Sequence, residues 1–119
     1  EDDDVNRVIL KQFLRCLDIK PVFAFNGIEA LKILETMSFP LILMDIEMPR
    51  MGGIETTIRI RQTDKETPIV AMSAHALGEE KERALKSGMN EFLSKPFYFT
   101  DLQRVVKRYV LSLPQKEAA

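Results

Sequence analysis

The sequence has very few of the residues that stabilise a fold through disulfide bonds or bound metal ions. Its 119 residues include one cysteine, Cys16, and one histidine, His75. A single cysteine excludes an internal disulfide and favours a reducing, cytoplasmic compartment. A lone histidine cannot form a zinc site. His75 does lie two residues after Ser73, but that spacing rarely aligns a Ser/His nucleophilic pair, and no orienting acid is evident.

The sequence also lacks an excess of charge of one sign and long apolar runs. Lys and Arg number 17 and Asp and Glu 18, for a net charge of −1, so we predict no nucleic-acid binding by this domain. The apolar runs are only a few residues long and no basic-then-apolar leader is present, so we expect no direct membrane insertion. Apolar residues at 45% and charged residues at 29% are typical of one globular domain.

Short apolar segments alternate with helical patterns along the chain. Four segments with uninterrupted apolar cores are predicted strands: 22–25, 41–44, 69–72 and 91–94. Five segments with helical spacing or capping signals are predicted helices: 5–17, 28–37, 54–61, 79–87 and 102–113. Asn26 with Glu29, and Thr100 with Gln103, resemble capping boxes. The alternation predicts an α/β fold, a doubly wound parallel sheet with helices on both faces.

The predicted order begins with a helix, which is unusual for this architecture. The first strand of a doubly wound sheet is usually central, and later crossovers build around it. We therefore expect a first strand just before Glu1, missing or truncated in this sequence. The alternative is a four-stranded sheet that begins with a helix, although a gap at the centre of a sheet would leave backbone groups unpaired.

Polar residues stand where the predicted strands end: Asp45, Ser73, Lys95 and, if a strand precedes it, Asp2. In open α/β sheets, ligands bind at the carboxyl ends of the strands, so these residues should meet at one edge. Glu1, Asp2 and Asp45 would crowd there, and two carboxylates about 5 Å apart repel by roughly 3 kcal/mol at an effective dielectric of about 20. Such a cluster favours Mg²⁺. With a lysine and a hydroxyl, it suits a phosphoryl group.

Segments around these residues resemble the receiver domains of two-component response regulators. The segment 45–53 resembles the phospho-acceptor loop, and 73–76 resembles the switch segment that carries Ser or Thr. The segment 92–97 resembles the switch aromatic followed by lysine and proline, and Glu1-Asp2 resembles the acidic pair after the first strand. Taken together, the order and spacing of these motifs are specific for the family. The sequence around residues 73–88 is most similar to the receivers of hybrid histidine kinases and phosphorelays.

The resemblance implies a flavodoxin-like sheet with the strand order 2-1-3-4-5, an order taken from the family. The receiver domain would span 1–113 and lack most of its first strand, and 114–119 would form a C-terminal tail. The domain would be cytoplasmic, as a free-standing regulator or as the cytoplasmic part of a membrane-bound hybrid kinase.

The resemblance also implies a phospho-acceptor and its metal ligands. Asp45 would accept a phosphoryl group from a phosphohistidine on a histidine kinase or a histidine phosphotransfer domain. Mg²⁺ would be bound by Asp2, Asp45 and the backbone carbonyl of Glu47, with Glu1 acting through water. The domain would be a regulatory phospho-acceptor rather than an enzyme, although it would promote its own phosphorylation and dephosphorylation.

A switch follows from the same resemblance. Lys95 would pair with the phosphoryl oxygens, Ser73 would move to hydrogen-bond the same group, and Phe92 would turn inward to fill the space left. This is a shift between two packings, biased by one new dianionic group. The output would be read from the helix at 79–87, the strand at 91–94 and the last helix, which also allows a dimer formed on phosphorylation.

Several residues depart from the usual family pattern. Gly52 replaces a common acidic residue, which predicts a more mobile loop. Ser73 keeps the hydroxyl of the commoner threonine but loses its methyl group, and Phe92 lacks the hydroxyl of the commoner tyrosine. Glu47 and His75 occupy variable positions, where they are expected to tune the lifetime of the phosphoryl group.

Two other function classes stay open from the sequence. The first is a phosphatase of the haloacid-dehalogenase type, because Asp45-x-Glu47 faintly resembles its Asp-x-Asp pair. However, that nucleophile normally follows the first strand, and the chain has no room for a cap domain. The second is a receiver-shaped interaction module that is never phosphorylated.

Overall fold

The described part of the chain alternates helices and strands. A computed structural model describes residues 14–15, 22–24, 26–47, 51–74, 78–95 and 98–111. The helices are α1 (Gly27–Thr36), α2 (Gly53–Arg61), α3 (Gly78–Ser87) and α4 (Phe99–Val106), and a π-helical turn, Lys107–Leu111, continues α4. The strands are β1 (Ile42–Asp45), β2 (Ile69–Ser73) and β3 (Glu91–Ser94). Each of these strands was predicted from an apolar core and lies within one residue of its predicted bounds.

The three strands form one parallel sheet in the order β1-β2-β3. Ile42 pairs with Ile69 at one end of the β1–β2 ladder and Asp45 with Met72 at the other. In the β2–β3 ladder, Ser73 lies opposite Ser94. The order of these strands across the sheet matches the 3-4-5 part of the predicted strand order. The helical crossovers between them are what parallel pairing requires.

The core lies on both faces of β2, whose five residues are all buried. Successive side chains of a strand point to opposite faces, which divides the core in two. Ile69 and Ala71 join a cluster with residues of β1, α2 and α3, whereas Val70 packs with Leu93 and Val105 from β3 and α4. A sheet covered on both faces explains why β2 is a continuous apolar run rather than an alternating one.

Helix termini confirm one capping prediction and correct another. The Asn26 side chain accepts a 2.8 Å hydrogen bond from the Glu29 amide and caps α1 as expected. The predicted cap at Thr100 and Gln103 is wrong. Helix α4 begins at Phe99, and Asp101 accepts a 2.9 Å hydrogen bond from the amide of Tyr98, the actual N-cap residue.

Two other predicted segments differ or lie outside the described residues. Residues 22–24 form no strand, and Phe25 is outside the described part. Val22 is 51% exposed, so this segment is not the buried strand that its apolar run predicted. The 5–17 helix is described only at 14–15, which are helical, and the 114–119 tail is not described. Among the described helices, none combines the length and apolarity needed to cross a bilayer.

At the end of the sheet opposite the strand carboxyl termini, Gly88 ends α3 with a φ of +117°. Only glycine adopts this conformation without strain, and a Cβ there would also lie 2.7 Å from Cγ of Arg61. The Arg61 guanidinium donates to the carbonyls of Gly88 and Thr67 at 2.9 and 2.8 Å. Arg61 therefore connects α2 to the turn before β2 and to the turn between α3 and β3.

Glu91 connects the start of β3 to the last helix. Its side chain is 16% exposed, and it forms ion pairs with Arg104 and Arg108. Tyr109 donates a 2.8 Å hydrogen bond to its Oε2 atom. Burial alone would raise the pKa of Glu91, but the hydrogen bonds from Tyr109 and Arg104 and the charge of Arg108 hold it below its usual value. The ionised carboxylate therefore stabilises the packing of α4 and its π-helical turn on β3.

We expect Glu91→Gln to destabilise the domain in a pH-dependent manner. Because the folded-state pKa is lowered, the stabilisation is present above the unfolded-state pKa of about 4.3 and disappears as the pH falls through the folded-state value. Loss of hydrogen bonds to a charged group should lower the free energy of unfolding by about 1–2 kcal/mol at pH 7. Urea unfolding from pH 7 to pH 3 checks this. A difference from the parent that stays constant over this range would contradict it.

Candidate functional site

Three strand ends bring polar residues to one edge of the sheet. Asp45 is the last residue of β1, Ser73 is the last of β2, and Lys95 directly follows β3. The ladder continues into this edge, because the amide of Lys95 donates to the carbonyl of Ser73 at 2.7 Å and the amide of Ile46 to that of Met72 at 2.9 Å. The parallel register therefore fixes the three residues side by side.

Asp45 and Lys95 form an ion pair at the centre of this edge. Nζ of Lys95 lies 3.0 Å from Oδ2 of Asp45. The other carboxylate oxygen, Oδ1, accepts a 3.0 Å hydrogen bond from the amide of Glu47. The side chains of Asp45 and Lys95 are 28% and 16% exposed. The carboxylate is thus held in one orientation by a cation and an amide but can still be reached from solvent.

The hydroxyl of Ser73 lies between two glutamates. The Oγ atom is 2.5 Å from Oε2 of Glu47, in the loop after β1, and 2.8 Å from Oε1 of Glu80, in the first turn of α3. Glu47 also accepts a 3.4 Å hydrogen bond from the amide of Ala74. Ser73 itself is fully buried, so these contacts are screened little by water.

Glu80 was not identified from the sequence. The only signal was its place in the first turn of the helix that follows β2, where acidic residues are favoured by the helix dipole. A helix that follows a parallel strand begins near the carboxyl edge of the sheet, so its first turn is close to the site. That placement does not single out Glu80 from its neighbour Glu79, which is exposed.

Phe92 lies in the middle of β3, opposite Ala71. It is partly buried and packs against the core cluster that includes Ala71, Ala84 and Met89. The predicted switch aromatic therefore borders α3, the helix that also carries Glu80. Its side chain lies on the same face of the sheet as α2 and α3 rather than on the face covered by α4.

The backbone beneath Asp45 packs directly against the start of α2. The amide of Gly53 donates a 3.1 Å hydrogen bond to the carbonyl of Ile46. A Cβ at Gly53 would lie 2.5 Å from the carbonyl oxygen of Asp45 and 2.9 Å from Cα of Ile46, which is too close for any side chain. Glycine is thus required here by the close approach of two backbones.

The remaining predicted site residues lie outside the described part of the chain. Glu1 and Asp2, the predicted metal ligands, are among them, as is His75. Within the described ranges, no group of three or more acidic, histidine or cysteine side chains is arranged to hold a metal ion. The described donors at the edge are the oxygens of Asp45 and Glu47, the kind of hard ligand that Mg²⁺ prefers.

The arrangement combines a nucleophile with groups that stabilise developing negative charge. A carboxylate can attack phosphorus, an ammonium group beside it neutralises phosphoryl oxygens, and a nearby hydroxyl can donate a hydrogen bond to them. No described imidazole or thiol stands at this edge to act as a base or as a softer nucleophile. The chemistry best suited to these groups is transfer of a phosphoryl group to Asp45.

Known proteins with a similar sequence point to signalling domains. The family model for the response regulator receiver domain matches residues 1–107. Hybrid signal transduction histidine kinase G of Dictyostelium discoideum is 41% identical over 114 residues. The match covers 92% of this chain but only 3% of that kinase, so the chain corresponds to a small part of this relative.

Solved structures with a similar fold agree with the sequence matches. The receiver domain of a sensor histidine kinase from Pseudomonas aeruginosa, with magnesium coordinated in its active site cleft, has a TM-score of 0.86 and 35% identity over 94% of this chain and 93% of its own. The receiver domain of yeast Ssk1, in complex with the histidine phosphotransfer protein Ypd1, has a TM-score of 0.84 and 33% identity over 92% and 83%. These neighbours share the flavodoxin-like architecture predicted from the sequence.

Proposed function

Because the chain belongs to the response regulator receiver domains, we propose that Asp45 accepts a phosphoryl group from a phosphohistidine and that Ser73 and Phe92 convert this event into a change at the output face. Family membership places the chain among regulatory domains of two-component and phosphorelay systems. It also favours this function over the phosphatase left open by the sequence. The observation that carries the proposal is the 3.0 Å contact between Nζ of Lys95 and Oδ2 of Asp45 at a sheet edge that solvent can reach.

In the proposed step, a carboxylate oxygen of Asp45 forms a bond to phosphorus. The bond between phosphorus and the imidazole nitrogen of the donor breaks, and its electron pair stays on the nitrogen. Lys95 lies where its ammonium group can pair with the phosphoryl oxygens, and the amide of Glu47 fixes the direction of the carboxylate. The product is an acyl phosphate on Asp45.

The oxygen-rich edge suits a divalent cation. Mg²⁺ would be held by Asp2, Asp45 and the backbone carbonyl of Glu47, with Glu1 acting through water, and it would neutralise charge on the phosphoryl oxygens. The donor set supports this assignment, since the described acceptors are oxygens only. The magnesium ion in the cleft of the related Pseudomonas receiver also supports it.

The proposed partner is a histidine phosphotransfer domain or a histidine kinase. The Ypd1–Ssk1 complex supports this class of donor, because its receiver shares the fold and 33% identity with this chain. We place the domain in the cytoplasm, within or beside a hybrid kinase. We assign its output to the face formed by α3, β3 and α4, where a downstream partner or a second phosphorylated copy would dock.

Phosphoryl uptake by the parent chain tests the proposal. With Mg²⁺ and acetyl phosphate, or with a phosphorylated histidine phosphotransfer protein, intact-mass spectrometry should detect one added phosphoryl group per chain. The group should be stable in acid and labile in base, as an acyl phosphate is. Absence of uptake from both donors would instead favour the interaction module that is never phosphorylated, and multiple turnover of a small phosphate ester would favour the phosphatase.

A further inference from the structure

The hydroxyl of Ser73 has one proton and two carboxylates within hydrogen-bonding distance. Oε2 of Glu47 is 2.5 Å away and Oε1 of Glu80 is 2.8 Å away. A serine hydroxyl donates one hydrogen bond at a time. While that proton is directed to either glutamate, it cannot be donated to a group on Asp45.

The two uses of the hydroxyl therefore exclude each other. In the phosphorylated state proposed above, Ser73 donates to a phosphoryl oxygen, which requires it to leave the two glutamates. A contact that exists in only one of two conformations shifts the equilibrium between them toward that conformation, by the free energy of the contact. The Ser73–Glu80 contact belongs to the state without phosphoryl and so opposes switching.

Glu80 also connects the sheet edge to the proposed output face. It lies in the first turn of α3 and is partly buried, whereas the neighbouring Glu79 is exposed. When Ser73 leaves, the first turn of α3 loses a side-chain contact with the end of β2. A change at Asp45 can thus reach α3 without any direct contact between α3 and the phosphoryl group.

We propose that Glu80 is a positioning residue that holds Ser73 in its unphosphorylated arrangement and couples the release of Ser73 to α3. This inference rests on the proposed function, because Ser73 can donate to a phosphoryl oxygen only if Asp45 is phosphorylated. The rival explanation for any effect of Glu80 is simple repulsion between its carboxylate and a phosphoryl dianion. Repulsion acts with or without Ser73, so a double-mutant cycle separates the two.

The experiment compares Glu80→Ala with Glu79→Ala, which removes the same charge from an exposed position on the same turn. Beryllium trifluoride with Mg²⁺ serves as the phosphoryl mimic, and binding is followed by ¹⁹F and amide NMR. Glu80→Ala should bind the mimic about two- to fivefold more tightly than the parent. Fivefold corresponds to one full hydrogen bond of about 1 kcal/mol, and the gain is smaller to the extent that Oε2 of Glu47 still accepts the proton of Ser73. Glu79→Ala should change binding less than about twofold.

The cycle repeats both substitutions in a Ser73→Ala background. There, Glu80→Ala should have no larger effect than Glu79→Ala. An undiminished effect in that background would overturn the inference in favour of charge repulsion, and equal effects of the two substitutions in the parent background would also overturn it. If the parent itself binds no mimic and takes up no phosphoryl group, the proposed function fails, and the inference fails with it.

A second measurement is made on the variant without metal or mimic, with the mimic-bound parent as the reference. In the unloaded protein, amide resonances of Ala74 and the first turn of α3 in Glu80→Ala should move toward the positions they have in the mimic-bound parent, because removing the contact raises the population of the switched state. Shifts in unrelated directions would show that Glu80 is only structural and would contradict the inference.

Discussion

Asp45→Asn is expected to abolish phosphoryl uptake completely. Asparagine has nearly the same shape, and its carbonyl oxygen can still accept the hydrogen bond that the amide of Glu47 donates to Asp45. Its neutral amide, however, is not a nucleophile for phosphorus and does not pair with Lys95. The fold should persist, because the substitution places no new bulk at the edge and the side chain is already reached by solvent.

Intact-mass spectrometry after incubation with Mg²⁺ and a phosphoryl donor checks this result. Asp101→Asn is the matched control, since Asp101 caps α4 and asparagine can accept the same hydrogen bond from the amide of Tyr98. The control should take up one phosphoryl group like the parent. Labelling that persists in Asp45→Asn would show that another residue is the acceptor.

Lys95→Ala is expected to slow phosphoryl uptake by about 100-fold and to prevent switching. Its ammonium group, 3.0 Å from Oδ2 of Asp45, is the positive charge at the described edge. Removing one group that stabilises charge in a transition state typically costs a factor of about 10²–10³. The loss in the free energy of unfolding should be only about 1 kcal/mol, because the pair is partly open to solvent.

Two readouts separate the chemical and the conformational roles of Lys95. The rate of uptake from acetyl phosphate measures the first. Amide NMR of α3 and β3, after enough time for Lys95→Ala to be modified, measures the second. Lys32→Ala, at an exposed position on α1, is the matched control and should behave as the parent. If the amide resonances of α3 and β3 moved in modified Lys95→Ala as they do in the modified parent, Lys95 would have no part in the switch.

The sheet and the residues at its edge were the predictable part of this protein. Apolar cores that end at Asp45 and Ser73 specify buried parallel strands, and parallel order alone places the ends of such strands together. The 22–24 segment shows the limit of this logic. Its apolar residues fit a buried strand, but Val22 is exposed, and local composition contains no information on which residues the rest of the chain covers.

The parts that the sequence did not predict depend on contacts between distant elements. Thr100 and Gln103 have the spacing of a capping box, but the helix begins one residue before Thr100, where Asp101 can reach the amide of Tyr98. Glu80 differs from Glu79 in its partial burial and in its contact with Ser73, seven residues earlier in the chain, and the sequence shows neither. Glu91 is tolerated in its partly buried position at the start of β3 because Arg104 and Arg108 pair with its charge and Tyr109 donates a hydrogen bond to it.

The close packing of Gly53 makes the α2 side of Asp45 different from the α3 side. The backbone of Gly53 lies so close to the carbonyl of Asp45 that it leaves no room for α2 to move toward the acceptor. On the other side, the side chain of Glu80 in the first turn of α3 contacts the hydroxyl of Ser73, and this contact can be exchanged for another partner. We therefore expect a change at Asp45 to shift the start of α3 more readily than α2, and a signal that begins at the acceptor would then have a preferred direction before any partner docks.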